Sequence, residues 1–235
     1  MAKAKHAEWT RLLAAYVRSA EDGVTRVDYA ALAANSADRA ALDAYIARFA
    51  EADLSAKTDA NFASWANLYN AVTVRHILER YPVRSIRDGY LNGPWKQVRV
   101  RAGGREVSLD AIEHDILRVR WGTPEVHYAL NCASYSCPNL PPYAWEPATL
   151  EADLARAARD YVNHPRGVTV TARGLTVSSI YSWFEKDFGG SKAAVIEHLL
   201  LHAEPGLAAS IRANPRINRH TYDWALNDTQ ATSRR

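Results

Sequence analysis

Apolar residues recur at helical spacing through the first third of the chain. Trp9, Leu12, Leu13, Tyr16 and Val17 share one face over residues 6–20. Leu42, Tyr45, Ile46 and Phe49 repeat the pattern over 36–51, behind a capping Ser36. A longer helix is expected over 60–80, with Phe62, Trp65, Leu68, Tyr69, Val72 and Ile77 inward. It ends at Tyr81-Pro82, because proline disfavours helix in the residue before it. The period then shortens to two. Val98, Val100 and Ala102 alternate into a hairpin turn at Gly103-Gly104, and Val168, Val170 and Ala172 lead into a second at Arg173-Gly174. Between the hairpins, Leu109, Ile112, Ile116 and Leu117 predict a helix over 109–119. Val126, Tyr128 and Leu130 alternate like a strand over 125–131, and Pro147 suits the first turn of a helix reaching about Val162. Two short helices flank Gly189-Gly190, and Tyr222, Trp224 and Leu226 share one face of a short final strand. Residues 228–235 lack apolar groups and are expected to be mobile.

Helices first, then hairpins mixed with helices, predict an α+β fold. The expected arrangement is an N-terminal helical layer on a small, mostly antiparallel sheet with 125–131 at its centre. A distant cysteine-protease-like arrangement is one form it could take. Residues 1–235 read as a single domain, with N-terminal helices over 6–51.

Composition narrows the function. The chain has 48% hydrophobic and 23% charged residues, ordinary for a globular protein and enough to build a core. Its 29 basic and 26 acidic residues are interspersed, which leaves no nucleic-acid footprint. No apolar run approaches the roughly 20 residues of a membrane span, and Met-Ala-Lys-Ala-Lys-His lacks the apolar core of a signal peptide. Read literally, that start suits a cytoplasmic protein. Seven Trp and twelve Tyr stand against four Phe, so many rings carry a polar atom that needs a partner when buried.

The richest stretch runs from His127 through Asn131, Cys132, Ser134 and Ser136 to Cys137-Pro138. Its two cysteines are the only ones in the chain. They leave open a bridge that staples the loop, a nucleophilic thiol, or a metal site. A nucleophilic Cys132 or Cys137 needs a base, His114 or His127, and an oxyanion donor, for which the Asn131 amide is a candidate. Asn131 precedes Cys137 by six residues, the offset of the amide donor in papain-like enzymes, but their cysteine opens a helix whereas Cys137 runs into Pro138. Glu113 precedes His114 on the expected helix and points about 100° away, so it suits another group better than it suits His114. Asp223, beside two large aromatics, is expected to pair near the cysteine loop, and Glu113 and Asp223 are candidates for orienting the base. Asn67 and Asn70, three apart within an aromatic helix, are expected to clamp neighbouring backbone. His198 and His202 have the spacing of zinc ligands but fall on the solvated face of their helix. A zinc site joining the cysteines to His114 or His127 lacks a second ligand pair at the usual spacing. No metal and no cofactor is expected.

Five segments, taken in order, resemble the domain of unknown function 547 family. They are Trp65-x-Asn67-x-Tyr69-Asn70; Ile112-Glu113-His114; His127-x-Ala129-Leu130 with Cys132 and Ser136-Cys137-Pro138; Ser178-Ser179-Ile180-x-x-Trp183-Phe184 with Asp187-Phe188; and Tyr222-Asp223-Trp224-x-Leu226-Asn227. They span about residues 60–227. The resemblance implies export, to the periplasm or beyond, as bacterial members commonly look exported. It also implies that serine stands in place of Cys137 in some plant relatives, which favours Cys132 as the essential thiol and speaks against an obligatory bridge. The leading expectation is a thiol-dependent hydrolase or acyl transferase acting on an amide or thioester. The alternative is a non-catalytic exported module with a disulfide-stapled loop. In either case the partner is a small molecule or peptide; the oligomeric state is left open.

Overall fold

Residues 5–230 are described in a computed structural model of the chain. Helix α1 (Ala7–Tyr16) buries Trp9, Leu12, Leu13 and Tyr16, the face its spacing predicts, and passes into a short hairpin of β1 (Val17–Ser19) and β2 (Thr25–Val27). Helices α2 (Tyr29–Ala34) and α3 (Ser36–Ala47) follow. The cap of α3 is Asn35 rather than Ser36: the Asn35 side chain accepts a hydrogen bond from the Asp38 N–H.

Helix α4 (Asp59–Arg80) is the centre of the fold. Sixteen of its residues are buried, so it has no solvent face over most of its length. Ala63, Ala66 and Ala71 are completely covered, and small residues at such positions let neighbours approach closely. Thr58 caps its start, and it ends at the residue before Tyr81-Pro82, as expected.

The β structure is three small sheets rather than one. Strands β3 (Arg99–Ala102) and β4 (Arg105–Ser108) form the expected hairpin. Gly103 and Gly104 both take positive φ, 59° and 76°, as a two-residue turn between twisted strands requires. In the third sheet β5 (Val168–Thr171) and β6 (Gly174–Ser178) pair antiparallel and β7 (Ile217–Thr221) adds parallel to β6. The β5–β6 turn is Ala172-Arg173, one residue earlier than expected.

Residues 125–131 contain no strand. After Thr123-Pro124 they form the short helix α7 (Val126–Ala129) and then extend into the cysteine loop. Residues 126–131 are all buried, so their alternation marks no solvent face. The expected helix over 109–119 is built in three parts: α5 (Leu109–Ala111), a π-helical turn (Ile112–Leu117) and α6 (Arg118–Trp121). Helix α8 (Leu150–Val162) starts three residues after Pro147. The C-terminal part holds α9 (Ile180–Trp183), a 3-10 turn (Glu185–Phe188), α10 (Lys192–His202) and α11 (Pro205–Ala213).

Two apolar clusters result. The larger surrounds α4; the smaller joins α8, α10 and the three-stranded sheet through Tyr128, Tyr161 and Tyr181, and Ala157 packs against both. His198 packs its ring against Tyr128, Tyr181 and Phe188 of the second cluster rather than lying on a solvated face. It is 8% exposed and pairs with the Tyr128 hydroxyl at 2.7 Å. Residues 222–227 are not a strand of any sheet, but the expected return to the cysteine loop is present. Leu226 bridges Ser134, and the backbone N–H groups of Tyr135 and Ser136 donate to Ala225 and Asp223. Asp228, expected in a mobile tail, is buried, bridges Val27 and accepts from the Tyr81 hydroxyl at 2.8 Å. Thr229 is half-buried and the Gln230 N–H donates to the Asp228 side chain; residues 231–235 lie outside the described residues.

Candidate functional site

Both asparagines of α4 clamp backbone outside their own helix. Asn67 donates to the Trp145 carbonyl at 2.8 Å and accepts from its N–H at 2.9 Å. Asn70 donates to Ala129 at 2.9 Å and accepts from the Asn131 N–H at 2.8 Å. Asn70 therefore fixes the point where α7 enters the cysteine loop. The loop is held further along by its own polar residues. The Asn131 side chain donates to Pro138 O and accepts from the Ala133 N–H and from Asn227. Ala133 sits at φ 60°, in the left-handed region a non-glycine residue enters at a cost of about 1–2 kcal/mol. Tyr161 donates to the Ser136 carbonyl, and the Ser136 hydroxyl accepts from the Asp223 N–H.

Within this frame Cys132 and Cys137 are joined by a disulfide. Both line an open cavity of about 750 Å³, together with Tyr69, Trp95, Glu113, His114, His127, Trp183, Phe184, Tyr222 and Trp224. The sulfurs meet hydroxyls and an amide rather than imidazoles. Tyr222 Oη lies 3.1 Å from Cys137 Sγ and 3.3 Å from Cys132 Sγ. Ser134 Oγ lies 3.3 and 3.2 Å from the same atoms, and the Cys132 N–H donates to Cys137 Sγ at 3.0 Å. Burial pushes the Tyr222 phenol well above its ordinary pKa, so it remains a hydrogen-bond donor. Ser134 in turn donates to Tyr222 at 2.9 Å.

A linked polar chain joins two histidines of the cavity wall, His114 and His127, to Arg118 and Asp187, which do not line it. Arg118 clamps Asp187 with two hydrogen bonds, of 2.6 and 3.0 Å, and Asp187 also accepts from His127 Nε2 at 2.7 Å. These partners, His127 first, hold the Asp187 carboxyl well below the usual carboxylate range, against the opposing effect of burial. Arg118 also reaches His114 Nδ1 at 2.9 Å. A guanidinium has only donors, so Nδ1 accepts and the ring proton sits on Nε2, 3.8 Å from Asp110. The His127 ring stacks on Phe184 with centroids 4.1 Å apart. Glu113 accepts from the Tyr69 hydroxyl at 3.2 Å, serving a group other than His114 as its direction around the helix implied.

The structure thus brings Cys132, Cys137, His114, His127 and Glu113 to one cavity. Asn131 and Asp223 do not line it. The Asn131 amide holds the loop instead of facing a reacting atom. Asp223 is exposed and accepts from the Ala225 N–H two residues on; among the described residues it pairs with no histidine or arginine. Among the described residues, neither sulfur is hydrogen-bonded to an imidazole, and no group of three or more His, Cys, Asp or Glu side chains is placed to hold a metal. Sequence reasoning missed Arg118 and Trp95, and it named Ser134 and Tyr222 without giving their hydroxyls a role at the sulfurs. Arg118 had a signal: it lies four residues after His114, so the two meet on a helix. Asp187 and Trp183 lay within the quoted segments without a role.

A second feature of the cavity is aromatic. Trp183, Tyr222 and Trp224 form a contiguous cluster with centroids 4.6 to 5.6 Å apart, and Trp95 meets Trp224 edge-on at 5.6 Å. Trp183 is 49% exposed, a large ring left in water at the cavity rim.

No helix of the described residues is long and apolar enough to cross a membrane. No curated protein and no solved structure matches the chain significantly. A family model does match, described as "Protein of unknown function, DUF547", over residues 31–162. The span takes in α4, the π-helical turn and the cysteine loop, and it starts earlier than the quoted segments and ends before those containing Asp187 and Tyr222. It covers more than half of the chain, and with those shared segments at the centre of the fold, the chain belongs to the DUF547 family.

Proposed function

We propose that the protein is a ligand-binding module whose cavity takes an organic ligand with a flat apolar face and polar groups at its edge. The observation that carries this reading is the ring cluster of Trp95, Trp183, Tyr222 and Trp224 around a cavity of about 750 Å³. That volume falls in the range of small-molecule sites. The rings offer stacking faces, and Glu113, His114 and Asp110 offer hydrogen bonds at the ligand's edge. Tyr69 holds the Glu113 carboxylate in place before any ligand arrives, which limits the ordering cost of binding.

The thiol-dependent hydrolase or acyl transferase has less support. Both sulfurs are joined, the Asn131 amide is engaged within the loop, and among the described residues no imidazole is hydrogen-bonded to either sulfur. The disulfide also supports an exported setting, periplasmic or secreted, because such bonds persist in oxidising compartments.

Tryptophan fluorescence tests the reading, since three tryptophans line the cavity. Titration with a panel of mono- and disaccharides and ring-bearing amines should give a saturable change with at least one member. Trp183→Ala should weaken that binding by about tenfold or more, as loss of a central aromatic anchor does, with the melting temperature unchanged. A panel without a saturable response, or a Trp183→Ala variant that binds like the parent, would count against it.

A further inference from the structure

We propose that the Cys132–Cys137 disulfide is exchange-competent, and that the protein reacts through it with a thiol small enough to enter the cavity. The bond is not sealed in the core: both cysteines line the cavity wall, Cys132 half-buried and Cys137 only 4% exposed. Cys132 is thus the sulfur an incoming thiolate reaches more easily. Cys137, the leaving sulfur, is the better prepared to carry charge. It receives the Cys132 N–H at 3.0 Å and the Tyr222 hydroxyl at 3.1 Å. Ser134 stands 3.3 Å away and donates to Tyr222; both hydroxyls also lie within 3.2–3.3 Å of Cys132 Sγ, so the backbone N–H is the donor that singles out Cys137. Hydrogen bonds to a charged sulfur favour the thiolate, and a more stable leaving thiolate departs faster. An inert staple needs none of these donors, since a disulfide sulfur is a weak acceptor.

The reaction balances as two exchanges. The thiolate of the incoming thiol attacks Cys132 Sγ. A new S–S bond forms to Cys132 as the Cys132–Cys137 bond breaks, and its electron pair ends on Cys137 Sγ. A second thiol then attacks the outer sulfur of the mixed disulfide and releases Cys132. Two external thiols have been oxidised to one disulfide, and the protein disulfide has been reduced to two thiols, which take up the two protons the external thiols lost. In the reverse direction the protein delivers two electrons to an external disulfide.

The test uses the folded chain and glutathione as the probe. Oxidised protein is held in buffers graded from oxidised to reduced glutathione, quenched with acid, alkylated and mapped by mass spectrometry. The disulfide should open without denaturant, with glutathione captured on Cys132 at intermediate ratios. Tyr222→Phe should slow opening by about tenfold, the loss of one hydrogen bond to a developing thiolate; Ser134→Ala should slow it less. In reduced Cys132→Ser protein, ultraviolet titration of the Cys137 thiolate should place it below the ordinary cysteine value of about 8.5. A disulfide that opens only in denaturant, glutathione captured on Cys137, or a Cys137 thiol titrating at or above the ordinary value would overturn the proposal. So would equal opening rates in the parent and both hydroxyl variants. The wild-type arm decides the matter even if a variant fails to fold.

Discussion

Asn70→Ala is the sharpest probe of how the site is held. The side chain is 2% exposed and makes two hydrogen bonds to backbone at the entrance to the cysteine loop. Truncation affects the two partners unequally. The Ala129 carbonyl keeps a second donor, the Trp145 indole N–H at 3.0 Å, and loses little. The Asn131 N–H is left buried with no acceptor, which costs about 1–3 kcal/mol. The void left by the carboxamide adds up to about 1 kcal/mol. The sum is about 1–4 kcal/mol, or roughly 2–16 °C in melting temperature for a chain of this size. Thermal melting and urea titration should both report the loss, with an unchanged urea slope. Amide exchange should show faster exchange at Asn131 than at residues in the middle of α4. Asn70→Asp separates the two bonds: a carboxylate still accepts from Asn131 but cannot donate to Ala129. A melting temperature within about 1 °C of the parent for Asn70→Ala would refute the clamp.

Other expectations follow from the same geometry. Asp187 has a folded-state pKa below its unfolded value, so its contribution is complete above about pH 4 and is lost as pH falls further. The stability gap between the parent and Asp187→Asn, followed by urea titration, should therefore narrow on acidification below pH 4. A gap that stays constant would contradict the ion-pair account. Burial, with smaller contributions from His202 and His127, brings His198 down to about 4. This group favours folding above the unfolded histidine value near 6.5, and that help declines between there and pH 4; His198→Phe should flatten this part of the profile. Gly174→Ala, at φ 124° with a new Cβ only 2.4 Å from the Arg216 carbonyl oxygen, should destabilise by about 1–3 kcal/mol or more in a thermal melt. Asp228→Ala should lower stability by about 1–3 kcal/mol through loss of the hydrogen bond from the Tyr81 hydroxyl to a buried carboxylate, whereas a mobile tail would show no change.

Elements with one wet face were legible in the sequence. The inward residues of α1 and α3, and the Gly103-Gly104 turn, follow from simple periods because one side of each element meets water. The misreading of 125–131 has the opposite cause. When every residue of a segment is buried, alternation of large and small groups carries no information about period. The π-helical turn was hidden because its apolar residues fit ordinary helical spacing; its extra residue per turn shows only in the backbone. His198 was misplaced because α10 meets the core on a wider arc than its aliphatic residues mark, with Tyr128 supplying a polar partner inside. In the site, Asn67 and Asn70 were legible because two amides in an aromatic helix demand partners. The hydroxyls at the disulfide were not. Tyr222 and Cys132 are 90 residues apart, and no local pattern links them.

A joined pair of sulfurs in the wall of the cavity separates a binding module from a thiol enzyme. The most direct test is to alkylate the native protein without reductant and map its peptides by mass spectrometry. The prediction is no alkylated cysteine and one cross-linked peptide joining Cys132 to Cys137. Two alkylated cysteines in protein recovered from an oxidising compartment would contradict the account and return the thiol-dependent hydrolase to first place.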